Sequence, residues 1–288
     1  MKKYSSVICV VLISIFVSGC DNRNKEDEKI KLAQQIDTSM ITIDGGRFQM
    51  GDFGPLISDN LSLTPYPDNK YLHWVELSDF KMTKNRITWG QFNKWLLLNG
   101  KSMNTYYNKI LNRKIESKYD ERMYKYIGNN YPAIINWEDA SSFCHWVGNT
   151  LGKNVSLPTE AQWEYAARSR GQFRAYANSD NVYNLSVPDS ELNFTFDKTP
   201  VGSFAPNPLG LYDMMGNGHD WVVDWYDENY YKNSPEKDPQ GPSDGTKKVV
   251  RGYLGSIFGL YDVTRGKNIP ETEAPGFGFR CVENSPFK

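Results

Sequence analysis

From Val7 to Phe16 the chain is apolar at every position but Ser14, and no later stretch matches that density. The run is about ten residues long, too short to cross a hydrocarbon layer of roughly 30 Å as a helix. Asp21 to Asp37 is charge-dense with few large apolar residues, and this composition predicts a solvated tether. From Met40 onward short periods alternate. Met40-Ile41-Thr42-Ile43 predicts a strand, and Gly45-Gly46 a turn before Phe48-Gln49-Met50-Gly51. Trp89, Phe92, Trp95 and Leu96 share one helical face behind Thr88, a suitable N-cap. Trp137, Ala140, Phe143, Cys144 and Val147 predict a second helix over 136–147. Thr159 and Gln162 form a capping-box pattern that opens a third, shorter helix. The C-terminal half is rich in glycine and proline and carries no long helical period. Lys101 to Asn130, rich in Tyr, Asn and Lys, is expected to be an elaboration on the surface. Its Tyr106, Tyr107, Tyr119, Tyr124 and Tyr126 suit either a partner surface or a packed cover.

The chemistry of the first segment adds an address. Lys2 and Lys3 precede the apolar run, and Val17-Ser18-Gly19-Cys20 follows it, which is the pattern of a lipoprotein signal with Cys20 as the lipidated residue. The expected division is a signal over 1–19, a lipidated tether over 20–38 and one domain over 39–288. Removing the first nineteen residues takes away two lysines and no acids, so the net charge moves from −1 to −3. The expected location is the cell envelope, facing the periplasm, with Asp21 favouring the inner membrane. The lipid on Cys20 would be the membrane contact.

Across 288 residues, 39% are hydrophobic and 14% aromatic, enough for a core without metals or dense disulfides. The near-neutral charge offers no support for a nucleic-acid partner. Beyond Cys9 and Cys20 only Cys144 and Cys281 remain. In an exported chain they are expected to pair, with two buried thiols as the alternative. In the chain-entropy model so long a loop contributes about 4–5 kcal/mol.

Several strings go beyond class-level patterning. They are the 40–51 stretch, Pro132 to Ala140 with Phe143-Cys144-His145-Trp146, Leu157-Pro158-Thr159-Glu160-Ala161-Gln162-Trp163-Glu164-Tyr165-Ala166-Ala167-Arg168, Asn207 to Asn217, and Gly278-Phe279-Arg280-Cys281. In order and content they resemble the formylglycine-generating enzyme (sulfatase-modifying factor) family from about residue 40 to 283. The resemblance implies a single irregular α+β domain of the C-type-lectin-related type, with few helices and many short strands. It also implies that Cys144 and Cys281 are joined.

The enzyme of that family holds copper on two cysteines, soft ligands for a soft ion. Here Val249-Val250-Arg251-Gly252-Tyr253-Leu254-Gly255-Ser256 resembles the strand before that pair, yet no cysteine lies between Ser256 and Arg280. Copper is therefore not expected, nor is formylglycine-generating oxidase activity. His73, His145 and His219 are scattered, so no iron centre is expected. Asn217-Gly218-His219-Asp220-Trp221 resembles the family's calcium loop, which makes Asn217, Gly218 and Asp220 candidate oxygen ligands. Asp224 and Asp227 are expected to be solvated turn residues rather than a catalytic pair.

The functional expectation is a non-catalytic lipoprotein that binds an envelope protein, either a secretion-system component or a toxic effector held in check as by an immunity protein. One alternative is a cysteine-independent enzyme acting on a small periplasmic substrate such as a siderophore, with Arg251, Ser256 and Arg280 in its groove. Another is a glycan or cell-wall binding module.

Overall fold

The computed structural model describes residues 23–178, 198–252, 265–272 and 276–286. Cys20 and Ser256 lie outside them. Among the described residues no helix is long and apolar enough to cross a membrane.

The first described element corrects the tether. Residues 23–38 form a helix, α1, and Leu32, Ala33 and Ile36 on one face are fully buried. Three apolar residues are too few to signal an element by composition, but they occupy one stripe and a hydrophobic surface is waiting for them. Glu28 reaches Lys94 at 2.7 Å and Asp37 is paired with Lys153 at 2.5 Å, so the helix is also pinned by charge.

Three small sheets follow. Strand β1 (Met40–Ile43) pairs antiparallel with β4 (Phe80–Thr83), β4 with β10 (Val282–Asn284), and β10 with β5 (Val155–Ser156). The N- and C-terminal ends of the domain thus share one sheet. Strands β2 (Gly46–Met50) and β3 (His73–Leu77) make an antiparallel pair, with the short helix α2 (Gly54–Ile57) between them. The third sheet runs β8 (Arg265–Asn268), β7 (Lys248–Gly252), β6 (His219–Trp225), β9 (Phe277–Gly278), with β6 and β9 parallel.

Helix α3 (Trp89–Leu98) starts at a full capping box on Thr88 and Gln91. Helices α4 (Thr105–Leu111) and α5 (Lys118–Lys125) start at Asn104 and Ser117, whose side chains accept from the backbone three residues on. Helix α6 (Trp137–Leu151) is capped by Asn136 and ends at Gly152 in the left-handed region. Helix α7 (Glu160–Ala167) carries the predicted box on Thr159 and Gln162, and α8 (Tyr230–Asn233) is a single turn. The three predicted helices are therefore present, and α6 runs one turn beyond its expected end.

Two hydrophobic cores result. One is helical and gathers α1, α3, α6 and Phe279 around Phe92, Trp95 and Phe143. The other lies between the β1 and β2 sheets and α7, around Phe80, Trp163 and Tyr165. Cys144 on α6 is joined to Cys281 at the start of β10, with Cα atoms 5.5 Å apart. The 101–130 stretch divides. Ile110, Met123, Tyr126 and Ile127 are buried in the helical core, and Tyr106 and Tyr107 lie 6.4 and 4.9 Å from the Trp89 ring. Tyr119 and Tyr124 stay exposed.

Candidate functional site

The densest chemistry sits where α7 packs on the β7 and β8 strands. Helix α7 places Glu160 and Glu164 one turn apart on its buried side. Glu160 accepts from Arg251 at 2.9 Å, from Arg265 at 2.7 and 3.0 Å, and from the Tyr231 hydroxyl at 3.1 Å. Glu164 accepts from Arg251 at 2.9 Å, from Arg168 at 2.8 Å and from the Gly51 amide at 3.0 Å. Arg251 is thus a two-headed bridge between the carboxylates, in the bidentate manner that suits a planar guanidinium.

Asp224 completes this cluster and departs from expectation. It is 2% exposed, and its carboxylate accepts the Glu160 amide at 2.7 Å at the start of α7. Burial and the neighbouring Glu160 charge push its pKa up to about 7. Asp227 instead caps the turn at the Asn229 amide, 2.7 Å away. The two carboxylates serve separate backbone sites and do not form a pair.

A cavity of about 270 Å³ opens above Tyr231, walled by Asp68, Tyr71, Glu228, Asn229 and Lys232. Beside it Tyr226 donates to Asp68 at 2.6 Å and receives from Lys267 at 2.9 Å; burial, and then the bond to the Asp68 carboxylate, raise its phenol pKa far above the ordinary value.

The second cluster surrounds Asp220. Arg86 and Arg280 each donate through Nε to it at 2.8 Å, and the Trp163 indole donates at 2.9 Å. All of these side chains are fully buried or nearly so. Despite burial, the two guanidinium charges hold the Asp220 carboxyl at about 2.

This geometry corrects the calcium expectation. Asp220 and the Gly218 carbonyl both face Arg86, which reaches the Gly218 carbonyl at 2.6 Å and the Gly216 carbonyl at 3.0 Å. The Asn217 side chain exchanges hydrogen bonds with both backbone groups of Thr199, at 3.1 and 3.2 Å. A hard cation needs several free oxygens and no adjacent positive charge, so these residues do not fit one. Gly218, at a φ of +117°, lets the loop approach Gly276, whose carbonyl would stand 2.5 Å from an added Cβ.

The groove expectation is corrected too. Arg251 and Arg280 are both fully buried and belong to different clusters, and Ser256 lies outside the described residues. His145 is exposed on α6. His219 is held neutral, its pKa lowered to about 3 by burial and by the charges of Lys198 and Arg86. Among the described residues no three His, Cys, Asp or Glu side chains gather as a metal site.

Arg86, Arg265 and Lys248 carry no motif that marks them in the sequence. Lys248 is buried, its ammonium 4.0 Å from the Trp137 ring and 3.7 Å from the Trp225 ring, and it donates to the Val223 carbonyl at 2.7 Å. Burial lowers its pKa to about 8. The one signal is positional: Lys248 and Arg251 flank Val249-Val250 within one strand, and a charge inside such a strand demands a partner.

Comparison with known proteins places the chain in a family. Residues 26–285 match the sulfatase-modifying factor enzyme 1-like domain. The chain belongs to that family. It is 32% identical over 280 residues to the serine/threonine-protein kinase pkn1 of Chlamydia pneumoniae, covering 93% of this chain and 41% of that protein. It is 34% identical over 174 residues to the formylglycine-generating enzyme of Streptomyces coelicolor, covering 54% of each. This sulfatase-modifying-factor-like chain therefore spans about half or less of the length of those relatives. In structure it is similar to PvdO from Pseudomonas aeruginosa, with a TM-score of 0.64, 23% identity, and coverage of 85% of this chain and 94% of that one. That likeness establishes the single mixed α+β fold.

Proposed function

We propose that this family member is a lipid-anchored envelope protein that binds a protein partner and does not perform formylglycine-type oxidation. The supporting observation is the fate of its cysteines. Cys144 and Cys281 are both fully buried and joined to each other, Cys9 falls in the expected signal, Cys20 is the expected lipid site, and no cysteine stands between Ser256 and Arg280. Copper chemistry of the family's kind needs a thiolate pair, and this chain has none to offer. The two charged clusters support the same reading. Each carboxylate is already matched to arginine or a backbone amide, which suits a scaffold that presents its surface rather than a site that turns over substrate. A secretion-system component and a toxic effector are the two kinds of partner this reading covers.

The test is affinity purification of the protein from its own envelope, with bound proteins identified by mass spectrometry. One stoichiometric partner is the expected result. Recovery of the protein alone, together with turnover of a small substrate, would overturn the reading. The anchor is tested by the mass of the mature N-terminus: diacylglycerol on Cys20 is expected, and an unmodified Cys20 still joined to residues 1–19 excludes it.

A further inference from the structure

The 101–130 elaboration carries a charge that the rest of the molecule does not share. Residues 101–125 hold seven Lys or Arg and three acids, a net +4, so the remaining 263 residues sum to −5 against the whole-chain value of −1. Structure places these charges. Asp120 is buried and paired with Arg113, so that pair cancels and the net charge stays +4, with Glu116 and Glu121 the exposed acids of the stretch. Lys109, Lys114, Lys118, Arg122 and Lys125 are all exposed.

Apolar side chains stand among these cations. Leu111, Ile115, Tyr119 and Tyr124 are 42–55% exposed, while Ile110 and Met123 from the same helices hold α4 and α5 to the core. The guanidinium groups of Arg113 and Arg122 lie 5.4 and 5.9 Å from the Tyr119 ring, so cation and aromatic share one patch. Leucine, isoleucine and two tyrosines are thus exposed within one basic stretch of fifteen residues, from 111 to 125. An interface between water, phosphate and hydrocarbon rewards both groups at once: the cations meet headgroups while the apolar tips enter the acyl boundary.

Position agrees with chemistry. The α3 helix touches both neighbours, α4 through Trp89 with Tyr106 and Tyr107, and α1 through Lys94 with Glu28. The second turn of α1 and the first turn of α4 therefore contact the same helix. Because α1 is packed rather than loose, a chain entering at residue 23 meets the folded body at once.

We propose that the exposed surface of α4, α5 and the 112–117 connection between them docks on an anionic lipid surface. Its contacts are the cations Lys109, Lys114, Lys118, Arg122 and Lys125, with Ile115 and Tyr124 among the inserted tips. The site is separate from the lipid on Cys20 and does not depend on which protein partner is bound.

The test uses the chain from residue 20 onward with Cys20→Ala, so that no lipid is attached; the whole described core lies within 23–286 and needs nothing from the signal. Co-sedimentation is measured with vesicles of phosphatidylcholine alone and of equal parts phosphatidylglycerol and phosphatidylcholine. Binding to the anionic vesicles only, weakening with salt, is expected. Lys114→Ser and Lys118→Ser are each expected to lower partitioning about fivefold, at about 1 kcal/mol per basic residue. Ile115→Ser is expected to lower it several-fold, and Lys237→Ser, on a distant loop, not at all. Unchanged thermal melting shows that each variant is folded. No binding to anionic vesicles, or equal binding to neutral ones, overturns the proposal. So does binding that survives the α4 and α5 substitutions. Loss of a captured envelope protein in the same lysine variants, with no vesicle binding in the parent, would assign the face to an acidic protein instead.

Discussion

Two buried charge clusters, built from the same residue types within one fold, treat their carboxylates in opposite ways. Asp220 stands alone between Arg86 and Arg280 and is held at about 2. Asp224 sits beside Glu160, which already engages Arg251 and Arg265, and it is pushed up to about 7. Depth is not the difference, since both are fully buried or nearly so. The difference is the local count of charges. One carboxylate facing two guanidinium groups stays ionised, and a carboxylate with an ionised acidic neighbour resists ionisation. The lesson is that a buried acid must be judged with its whole cluster, never from burial alone.

The largest expected effect breaks the first cluster. Asp220→Asn leaves Arg86 and Arg280 buried without a counter-charge, and breaking a buried pair in this way costs about 3–5 kcal/mol. Urea denaturation at neutral pH checks it, and a loss below about 1 kcal/mol would mean that the cluster contributes little to stability. The wild-type carboxyl has a folded pKa below its unfolded value, so its contribution is present above about pH 4 and is lost as pH falls towards 2. Acid titration of the unfolding midpoint should therefore flatten in the variant.

Next in size is the covalent link, a control outside both clusters. Cys144→Ala with Cys281→Ala is expected to cost about 2–5 kcal/mol. The pH dependence assigned to Asp220 and Asp224 should persist in this double variant. Unchanged unfolding midpoints with and without reductant would count against the link.

Asp224→Asn sharpens the comparison from the other side. The folded pKa of Asp224 is raised, so its contribution is full below about pH 4 and is lost as pH rises to about 7. In that window the parent should lose stability from this group by up to about 1.4 kcal/mol per pH unit. The variant should lack that component, whereas an identical slope in both proteins would remove Asp224 as its source. The smallest effect is Thr159→Ala, which deletes the cap of the helix that carries Glu160 and Glu164. It should cost about 1 kcal/mol without altering either pH profile.

Part of this architecture is legible in the sequence alone. Capping residues and apolar spacing are local, so Thr88, Asn136 and Thr159 mark their helices correctly. The long motif strings carry the family and with it the mixed α+β fold. The clusters are less legible because their members are far apart in sequence: Arg86 meets Asp220 across 134 residues and Arg265 meets Glu160 across 105. Asn217, Gly218 and Asp220 stand together in the chain, but the cation that Gly218 and Asp220 face comes from a loop with no pattern of its own.

By itself, then, the sequence determined the starts of three helices, the family, the cysteine supply and the charge asymmetry of the 101–125 stretch, because each is written in adjacent or countable residues. Only the tertiary structure decided that residues 23–38 are a docked helix, that Asp220 is closed over by two arginines, and that Asp224 resists ionisation. The physical reason is common to all three. Burial and pairing depend on which surface or charge arrives from elsewhere in the chain, and that arrival is a property of the fold as a whole.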